Sequence, residues 1–574
     1  MGEVAVWAPE RERVRAVVGD ATVELRRGQD GWWRGEAPAE GDYAFLLDDD
    51  TTEQPDPRSP WQPNGVFGRS RRYDHSAFAW SDQDWTGRAL PGSVIYELHI
   101  GTFTADGTFD AAIERLDHLV ELGIDLVEVL PVNAYDGPHG WGYDGVLWYA
   151  VHEPYGGPDG FKRFVDACHR RGLGVVLDVV HNHLGPSGAN LERFGPYFAG
   201  QNIWGPSLNL DGAGSDEVRR YVIDNALGWL RDFHLDGLRL DAVHALVDRR
   251  ATHLLEELAE EVEVLSAHLG RPLALIAESD LNDAKLVTSR EAGGYGLSAQ
   301  WSDDLHHCLH TAITGERQGY YADFGSLESL ANTLRGVFFH AGTWSSFRGR
   351  THGRPVDTRR TPGHRFLAYS QNHDQIGNRA TGDRLSATLS PGLLGCAAAI
   401  VLGSPYTPML FMGEEWGAST PWQFFASFPD PGLAEAVRTG RRREFGEHGW
   451  GEAEVPDPID VSTFERSKLR WDESERGWHA ELLATYRALL RLRRERSELT
   501  DPRLHLLRVD YDEDARWLVL HRGSLRVACN LGAQPVEIRL PSAERTLLRN
   551  GEATITGETL RLSAESFAIV STIR

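Results

Sequence analysis

The chain has 574 residues, of which 41% are hydrophobic, enough for large cores. At this length we expect about two to four domains. It carries 84 acidic against 59 basic residues, a formal net charge of −25, and no block of basic residues. This balance argues against nucleic acid or an anionic membrane surface as a partner, and it suits a neutral glycan.

The four cysteines Cys168, Cys308, Cys396 and Cys529 are far apart and form no CxxC pair or Cys/His cluster. A disulfide framework and a structural zinc site are therefore not expected, and a reduced cytoplasmic setting is favoured. The first residues lack a basic segment followed by an apolar core, so no secretory signal is expected. No apolar run reaches about 18 residues, so no membrane span is expected either.

Residues 1–84 predict an N-terminal β-sandwich. Short apolar runs at Val4–Trp7, Val14–Val18 and Tyr43–Leu47 are separated by Gly, Asp and Pro, the residues that favour turns. The motif Val6–Pro9 resembles the starch-binding-like domains of debranching enzymes. Whether this domain holds glycan or only packs against its neighbour stays open, and we favour packing.

From Val94 onward, strand and helix patterns alternate, with amphipathic stretches such as Asp216–Phe233 and Thr252–Leu269. The eight buried-strand candidates are Val94–Ile100, Asp125–Leu130, Gly174–Asp178, Gly237–Asp241, Leu273–Ala277, Leu297–Trp301, Phe366–Ser370 and Met409–Met412. They predict an α/β fold, a (β/α)₈ TIM barrel with inserted loops over residues 85–496. Strand patterns alone return after Arg496, for example Trp517–His521 and Phe567–Val570, and predict a small C-terminal β-domain over residues 497–574.

Four acidic motifs follow strands of the predicted barrel: Asp178–His183, Gly237–His244, Ile276–Asp280 and Ser370–Asp374. The carboxyl ends of barrel strands meet at one face, where the active sites of such barrels lie. We therefore expect these polar residues to line a single site.

Two of these motifs carry the residues needed for glycosidic bond cleavage. Arg239 and Asp241 are two residues apart on one strand, so both side chains point to the same side and Arg239 keeps Asp241 ionised. Glu278 ends the next strand in an apolar context, where burial keeps it protonated. A strand-end salt bridge is the alternative for Asp241 alone, and the presence of Glu278 and Asp374 disfavours it.

His183 and His373 each neighbour an amide or a carboxylate, and no second ligand lies at zinc-like spacing. We therefore expect neutral imidazoles that bond sugar hydroxyls, and no metal. Asp178 is expected to brace Arg239. Tyr143 could stack on a sugar face, whereas Trp141 suits a core position equally well because most of the 18 tryptophans must be buried.

Together the four motifs resemble those of the α-amylase superfamily of retaining glycosidases and transglycosylases, and the resemblance covers nearly the whole chain. It implies that Asp241 is the nucleophile, Glu278 the general acid/base, and Asp374 the third carboxylate that grips substrate hydroxyls. Many members of the superfamily bind calcium, but the sequence has no dedicated acidic loop, so no cofactor is expected.

Finer segments resemble the trehalohydrolase family within this superfamily: Asp56–Val66, Gly140–Gly145, Gln300–His307, His373–Arg379 and Gly413–Gly417. The resemblance implies hydrolysis of the α-1,4 bond that joins a maltooligosyl chain to a terminal trehalose. We expect a monomer or homodimer, and a trehalose-forming synthase as the metabolic partner. The substrate-binding residues then expected are Trp141, Tyr143, Asp178, His183, Arg239, His244, Asp303, Asp304, His306, His307, His373, Gln375 and Asn378.

The chain departs from the family pattern at Ala426–Pro429, where relatives often carry an Asp-His pair, and at Ser279, where they carry Asn. Two enzyme alternatives share the fold and the three carboxylates, namely an α-glucan branching enzyme and a debranching enzyme. A catalytically silent glycan-binding relative is the non-enzyme alternative. Such a protein would be expected to lose at least one carboxylate, and here all three are present.

Overall fold

Two small antiparallel sheets form the N-terminal region. The strands are β1 Gly2–Trp7, β2 Val14–Val18, β3 Ala21–Glu24, β4 Arg26–Arg27, β5 Trp32–Ala37 and β6 Tyr43–Leu47. They assemble in the orders β1–β5–β4 and β3–β2–β6. Alternate residues such as Val6, Val14 and Phe45 are buried between the sheets, as period-two patterning requires. The structure, a computed structural model, describes residues 2–447 and 455–572.

A closed barrel of eight parallel strands follows. The strands from here to the end of the barrel are β7 Ile95–Leu98, β8 Leu126–Val129, β9 Asn133–Ala134, β10 Leu147–Val151, β11 Gly174–Val179, β12 Phe198–Asn202, β13 Gly205–Leu208, β14 Gly237–Leu240, β15 Ala274–Ala277, β16 Ala299–Trp301, β17 Thr343–Ser345, β18 Arg350–His352, β19 Phe366–Ala368 and β20 Thr407–Phe411. The barrel order is β7–β8–β11–β14–β15–β16–β19–β20, closing on β7. The predicted (β/α)₈ barrel is confirmed, and each of the eight predicted strands corresponds to one strand of the barrel.

Helices cover the outside of the barrel. Their bounds are α1 Ile100–Phe103, α2 Phe109–Ile113, α3 Leu116–Leu122, α4 Gly157–Arg170, α5 Ser215–Asp232, α6 Leu254–Leu269, α7 Asp303–Thr314, α8 Leu327–Gly336, α9 His373–Gly377, α10 Pro391–Gly403, α11 Pro431–Glu447, α12 Val461–Arg466, α13 Gly477–Glu495 and α14 Ser497–Thr500. In the described part of the chain, no helix is long and apolar enough to cross a membrane.

The barrel interior is apolar toward the amino-terminal ends of the strands and polar toward their carboxyl-terminal ends. Ile95, Leu126 and Val176 belong to one buried interior cluster. Two residues further along the same strands stand Glu97, Glu128 and Asp178, which therefore face inward as well. Glu97, Glu128 and Asp178 thus lie inside the barrel beneath its carboxyl-terminal opening, and we call this group the barrel floor.

The C-terminal strands are β21 Arg508–Asp512, β22 Trp517–Arg522, β23 Leu525–Asn530, β24 Val536–Arg539, β25 Ala543–Arg549, β26 Ala553–Thr556, β27 Thr559–Leu562 and β28 Ser566–Thr572. They form a five-stranded sheet, β21–β22–β23–β28–β25, and a three-stranded sheet, β24–β27–β26. Helix α10 packs against β23 and β28. The predicted C-terminal β-domain is confirmed.

The N-terminal region packs on the barrel. The Trp7 and Tyr197 ring centroids lie 5.2 Å apart, and Arg58 pairs with Asp224 at 2.9 Å. This agrees with a packing role but does not test glycan binding. The domain limits at 84/85 and 496/497 stay a prediction.

A buried guanidinium joins helix α13 to the barrel. Arg493 donates to the carbonyl oxygens of Leu402, Ser404, Tyr406 and Leu499 at 2.6 to 3.1 Å. These acceptors come from the end of α10, the segment before β20 and helix α14, so one side chain connects three parts of the fold.

We expect Arg493→Met to lower the free energy of unfolding by about 3 kcal/mol, because it leaves buried carbonyl groups without donors. The measurement is the shift in the urea unfolding midpoint. Arg491→Met, at an exposed position on the same helix, is the matched control and should leave the midpoint unchanged. Equal shifts for both variants would contradict the structural role of Arg493.

Candidate active site

A cavity of about 610 Å³ opens at the carboxyl ends of the barrel strands. Its walls are formed by Trp141, Tyr143, Asp144, His183, Ile203, Trp204, Arg239, Asp241, Ala242, His244, Glu278, Asp280, Phe347, Arg348, Arg350, His373, Asp374, Asn378 and Phe424. All four acidic motifs contribute to it. The expectation that they meet at one site is therefore met.

Asp241 is held by three bonds from two neighbouring strand ends. Arg239 Nη1 donates to Asp241 Oδ1 at 2.6 Å, and Asn182 Nδ2 donates to Oδ2 at 2.7 Å and to the main-chain oxygen at 3.0 Å. Burial acts to raise the pKa of Asp241, but Arg239, His183 and Asn182 outweigh it and lower that pKa below its usual value. Asp241 is therefore an ionised, oriented carboxylate.

Arg239 is itself held by contacts with Asp178 and Trp301 inside the barrel. Its Nη1 donates to both oxygens of Asp178 at 2.9 Å, and its guanidinium carbon lies 4.4 Å from the centroid of the Trp301 ring. Burial raises the pKa of Asp178 to about 6 against the opposing charge of Arg239. Asp178 does not line the cavity, so it braces Arg239, as its position in the sequence suggested.

The pKa of Glu278 is shifted in the opposite direction. Burial raises its pKa well above the usual value; Arg239 opposes this rise, and Asp241, Asp303 and Asp374 add to it. Its Oε2 accepts from the main-chain N–H of Ala242 at 2.6 Å and lies 3.9 Å from Arg239 Nη2. Ala242 has φ 41° and ψ 49°, a left-handed conformation that costs a non-glycine residue energy and points its N–H at the carboxyl group.

Asp374 stands in the first turn of the short helix α9 on the other side of the cavity. Asn378 Nδ2 donates to its Oδ1 at 2.5 Å, and the side chain is half-buried. One of its oxygens is thus held by the helix. The predicted trio Asp241, Glu278 and Asp374 surrounds one space.

His373 departs from the neutral imidazole that its sequence context predicts. Burial acts to lower its pKa, but Glu97 raises it above the usual value. Glu97 Oε1 lies 2.5 Å from His373 Nδ1, and Tyr143 OH lies 2.7 Å from Nε2. Both ring nitrogens are therefore engaged by protein groups. The sequence did not indicate Glu97, on the first barrel strand, as a partner of His373.

Oxygen atoms of the protein engage both ring nitrogens of His183, and the expected contact with sugar hydroxyls stays a prediction. Burial lowers its pKa, with Asp241 opposing the shift. Its Nδ1 lies 2.5 Å from Asn182 Oδ1, and its Nε2 lies 3.0 Å from the carbonyl oxygen of Tyr143. The ring therefore orients the amide that holds Asp241.

Besides Asp178, five of the predicted substrate-binding residues lie outside the cavity wall. Asp303 accepts from Tyr369 OH at 2.5 Å and from Gln375 Nε2 at 3.3 Å. Asp304 accepts from Asn282 Nδ2 and from the main-chain N–H of His340, both at 2.8 Å. His306 and Gln375 line a second cavity of about 220 Å³. The His307 ring packs against Tyr320 with centroids 4.9 Å apart. The structure therefore gives this group supporting contacts around the site.

Several cavity residues were missed from the sequence. Ile203 and Trp204 lie at the tip of the hairpin β12–β13, and Phe347 and Arg348 lie at the tip of the hairpin β17–β18. Trp204 is 43% exposed and Phe347 54% exposed, which marks both as open surfaces at the mouth. Both hairpins are insertions outside the barrel pattern, so strand-end reasoning could not find them. An exposed aromatic in a Gly- and Asn-rich turn was the available signal.

The segment that departs from the family pattern has a structural contact. Ser427 Oγ donates to the carbonyl oxygen of His139 at 2.5 Å and accepts from its N–H at 3.0 Å. Gly137, with φ 98°, approaches so closely that an added Cβ would lie 2.0 Å from the Ser427 carbonyl oxygen. The segment therefore holds the loop that leads to Trp141.

No group of three or more His, Cys, Asp or Glu side chains within residues 2–447 and 455–572 is arranged to hold a metal ion. The chemistry available in the described site is that of one ionised and one protonated carboxyl group beside a third carboxylate.

The fold and the site define a glycoside hydrolase of the α-amylase type. A family model described as "Alpha amylase, catalytic domain" matches residues 73–194, and one for a domain of unknown function (DUF3459) matches residues 502–569. A crystal structure from Salmonella typhimurium, provisionally named an alpha amylase, superposes with a TM-score of 0.90 at 37% identity, covering 99% of this chain and 97% of that one.

Full-length relatives make the assignment finer. The chain is 58% identical over 576 residues to the malto-oligosyltrehalose trehalohydrolase of Mycobacterium tuberculosis (strain CDC 1551 / Oshkosh), covering 99% of each. It is 56% identical over 574 residues to that of Arthrobacter ramosus, covering 98% of each. The chain belongs to the malto-oligosyltrehalose trehalohydrolase family.

We expect Trp204→Ala to weaken binding of a short α-1,4-glucan by about tenfold, because an exposed ring at the mouth offers a stacking surface. Isothermal titration with a maltooligosaccharide measures the change. Trp344→Ala is the matched control: Trp344 is 64% exposed on the neighbouring hairpin but is not part of the cavity wall. Equal loss of affinity in both variants would remove Trp204 from the site.

Proposed function

We propose that this chain hydrolyses the α-1,4 bond between a maltooligosyl chain and its terminal trehalose, releasing trehalose and a maltooligosaccharide. Family membership supports the substrate, since the full-length relatives carry this name. The observation that supports the reaction is the placement of Asp241 and Glu278 beside one guanidinium, with their pKa values shifted in opposite directions. A cavity of about 610 Å³ has room for several sugar units of an oligosaccharide.

In the first step, we assign Glu278 as the acid that protonates the glycosidic oxygen while Asp241 attacks the anomeric carbon. The raised pKa of Glu278 keeps its proton in place before the bond breaks. Arg239 and Asn182 hold Asp241 by one oxygen each, which orients the carboxylate for attack. Trehalose leaves, and a glycosyl ester on Asp241 remains.

In the second step, Glu278 is ionised and takes a proton from the attacking water. The water adds to the anomeric carbon, the ester bond to Asp241 breaks, and the maltooligosaccharide leaves with its α configuration retained. Proton and charge return to the starting state, since Glu278 is again protonated and Asp241 is again ionised.

Asp374 is proposed to grip hydroxyl groups of the sugar that reacts. One of its oxygens is bonded to Asn378, and the side chain forms part of the cavity wall. Tyr143 is proposed to stack on the same sugar. Its OH bonds Asp178 at 2.6 Å, so its ring is fixed from the floor of the site.

The wider setting is also a proposal. Release of trehalose requires an enzyme that first converts the reducing end of a maltooligosaccharide to trehalose, so a trehalose-forming synthase is the metabolic partner. The four cysteines are buried and free of disulfides, which supports a reduced cytoplasmic setting. The assembly is proposed to be a monomer or homodimer.

We expect Glu278→Gln to lower kcat by about 10²- to 10⁴-fold, because the general acid is lost. In the native enzyme, activity should fall as pH drops through the lowered pKa of Asp241 and as pH rises through the raised pKa of Glu278. The variant should lose the alkaline fall and keep the acid one. A native alkaline limb in the variant would remove Glu278 from the acid role.

The substrate is tested with two matched chains, one maltooligosaccharide with a free reducing end and the same chain ending in trehalose. We expect fast release of trehalose from the second and little action on the first, with products quantified by chromatography. Branched or disproportionated products would identify a transferase instead. Turnover of neither chain would contradict the proposed reaction and favour debranching or a silent glycan-binding protein.

A further inference from the structure

A third carboxyl group lies on the barrel floor between two that are bonded. Glu128 on β8 pairs in register with Glu97 on β7 and with Val176 on β11, and Asp178 stands two residues beyond Val176. Adjacent strands lie about 4.8 Å apart, so Glu97, Glu128 and Asp178 form one inward-facing group. Glu128 is 1% exposed.

The two flanking carboxyl groups have partners, and Glu128 has none. Glu97 accepts from the N–H of His373 at 2.9 Å and pairs with its ring. Asp178 binds Arg239 with both oxygens. Both carboxyl oxygens of Glu128 are buried without a hydrogen-bond partner. An ionised carboxylate in that position would be costly, because no hydrogen bond stabilises its charge and the two neighbouring carboxyl groups repel it.

The charged groups that act on Glu128 are Glu97 on β7, Asp178 on β11 and Arg239 on β14. His373 on α9 is paired with Glu97. Burial raises the pKa of Glu128 well above the usual value, and the repulsion of Glu97 and Asp178 adds to the rise against the attraction of Arg239. Two anions thus already balance the two cations of the floor. A third anion would compete for Arg239, the group that orients Asp241.

We propose that Glu128 is a positioning residue: a neutral carboxylic acid that keeps the ion pairs Glu97–His373 and Asp178–Arg239 in their bonded arrangement beneath the nucleophile. As a neutral acid it fills the space between the two pairs with an uncharged polar head. It adds no charge that would draw Arg239 away from Asp241. This inference rests on the proposed roles of Asp241 and Glu278.

The first test is the pH profile of Glu128→Gln, which keeps the shape, the polarity and the zero charge. We expect kcat within about threefold of native, with both limbs of the profile unshifted. If Glu128 were ionised in the native enzyme, the variant would remove a negative charge. The pKa values of Asp241 and Glu278 would then fall, and both limbs would move to lower pH, which would overturn the proposal.

The second test removes the polar head at similar volume. We expect Glu128→Leu to lower kcat by about 10- to 100-fold with KM within about twofold, because Arg239 and His373 lose their arrangement and the reacting groups are misplaced. Near-UV circular dichroism checks that the variant is folded. Native kcat in a folded Glu128→Leu variant would reduce Glu128 to a space-filling residue and overturn the proposal.

Infrared spectroscopy reports the proton without any substrate. One protonated-acid carbonyl band should be present at neutral pH in the native protein and missing from Glu128→Gln, whereas the band of Glu278 should remain. Glu278→Gln should remove a different band, and Glu537→Gln, on an exposed position of β24, should remove none. If the spectrum of Glu128→Gln retained every protonated-acid band of the native protein, the inference would be overturned. Because this readout needs no turnover, it fails independently of the proposed trehalose release.

Discussion

The active site depends on the contacts of one buried guanidinium. Arg239 bonds Asp178 below and Asp241 above, and it lies beside Glu278 and against the Trp301 ring. A buried charge of this kind is tolerable only when it is paired and fully oriented. Its presence lowers the pKa of one neighbouring carboxyl and only partly offsets the rise in the other. Arg239 prevails over burial at Asp241, whereas burial and the neighbouring carboxylates prevail over Arg239 at Glu278, so the two pKa values shift in opposite directions.

The rest of the barrel provides that geometry. Strands β11, β14 and β15 pair in parallel register, with Asp178 opposite Arg239 and Arg239 opposite Ile276, two residues before Glu278. This register places Asp178, Asp241 and Glu278 at the carboxyl-terminal ends of three adjacent strands. The strained Ala242 closes the arrangement by directing its N–H at Glu278. Strain of this kind persists where surrounding structure holds it in place.

Much of the barrel and its charged centre was predictable because both follow from periodicity. The eight strands were apolar runs of strand length, and residues two apart on a strand share a face, so Arg239 and Asp241 had to meet. The hairpin tips with Trp204 and Phe347 were not predictable by this route, since insertions obey no barrel period. The charge on His373 was missed for a different reason: its partner Glu97 lies 276 positions away along the chain. Only the closed barrel brings them together.

The predicted roles around Asp303–His307 show what resemblance transfers and what it does not. The segment lies beside the site, and Asp303 contributes to raising the pKa of Glu278. Its contacts are with Tyr369, Asn282, His340 and Tyr320. A carboxyl group that is buried near an acid keeps that acid protonated without touching a ligand. Charged groups outside the cavity wall, such as Asp303, therefore influence the pKa of a cavity carboxyl group without lining the cavity.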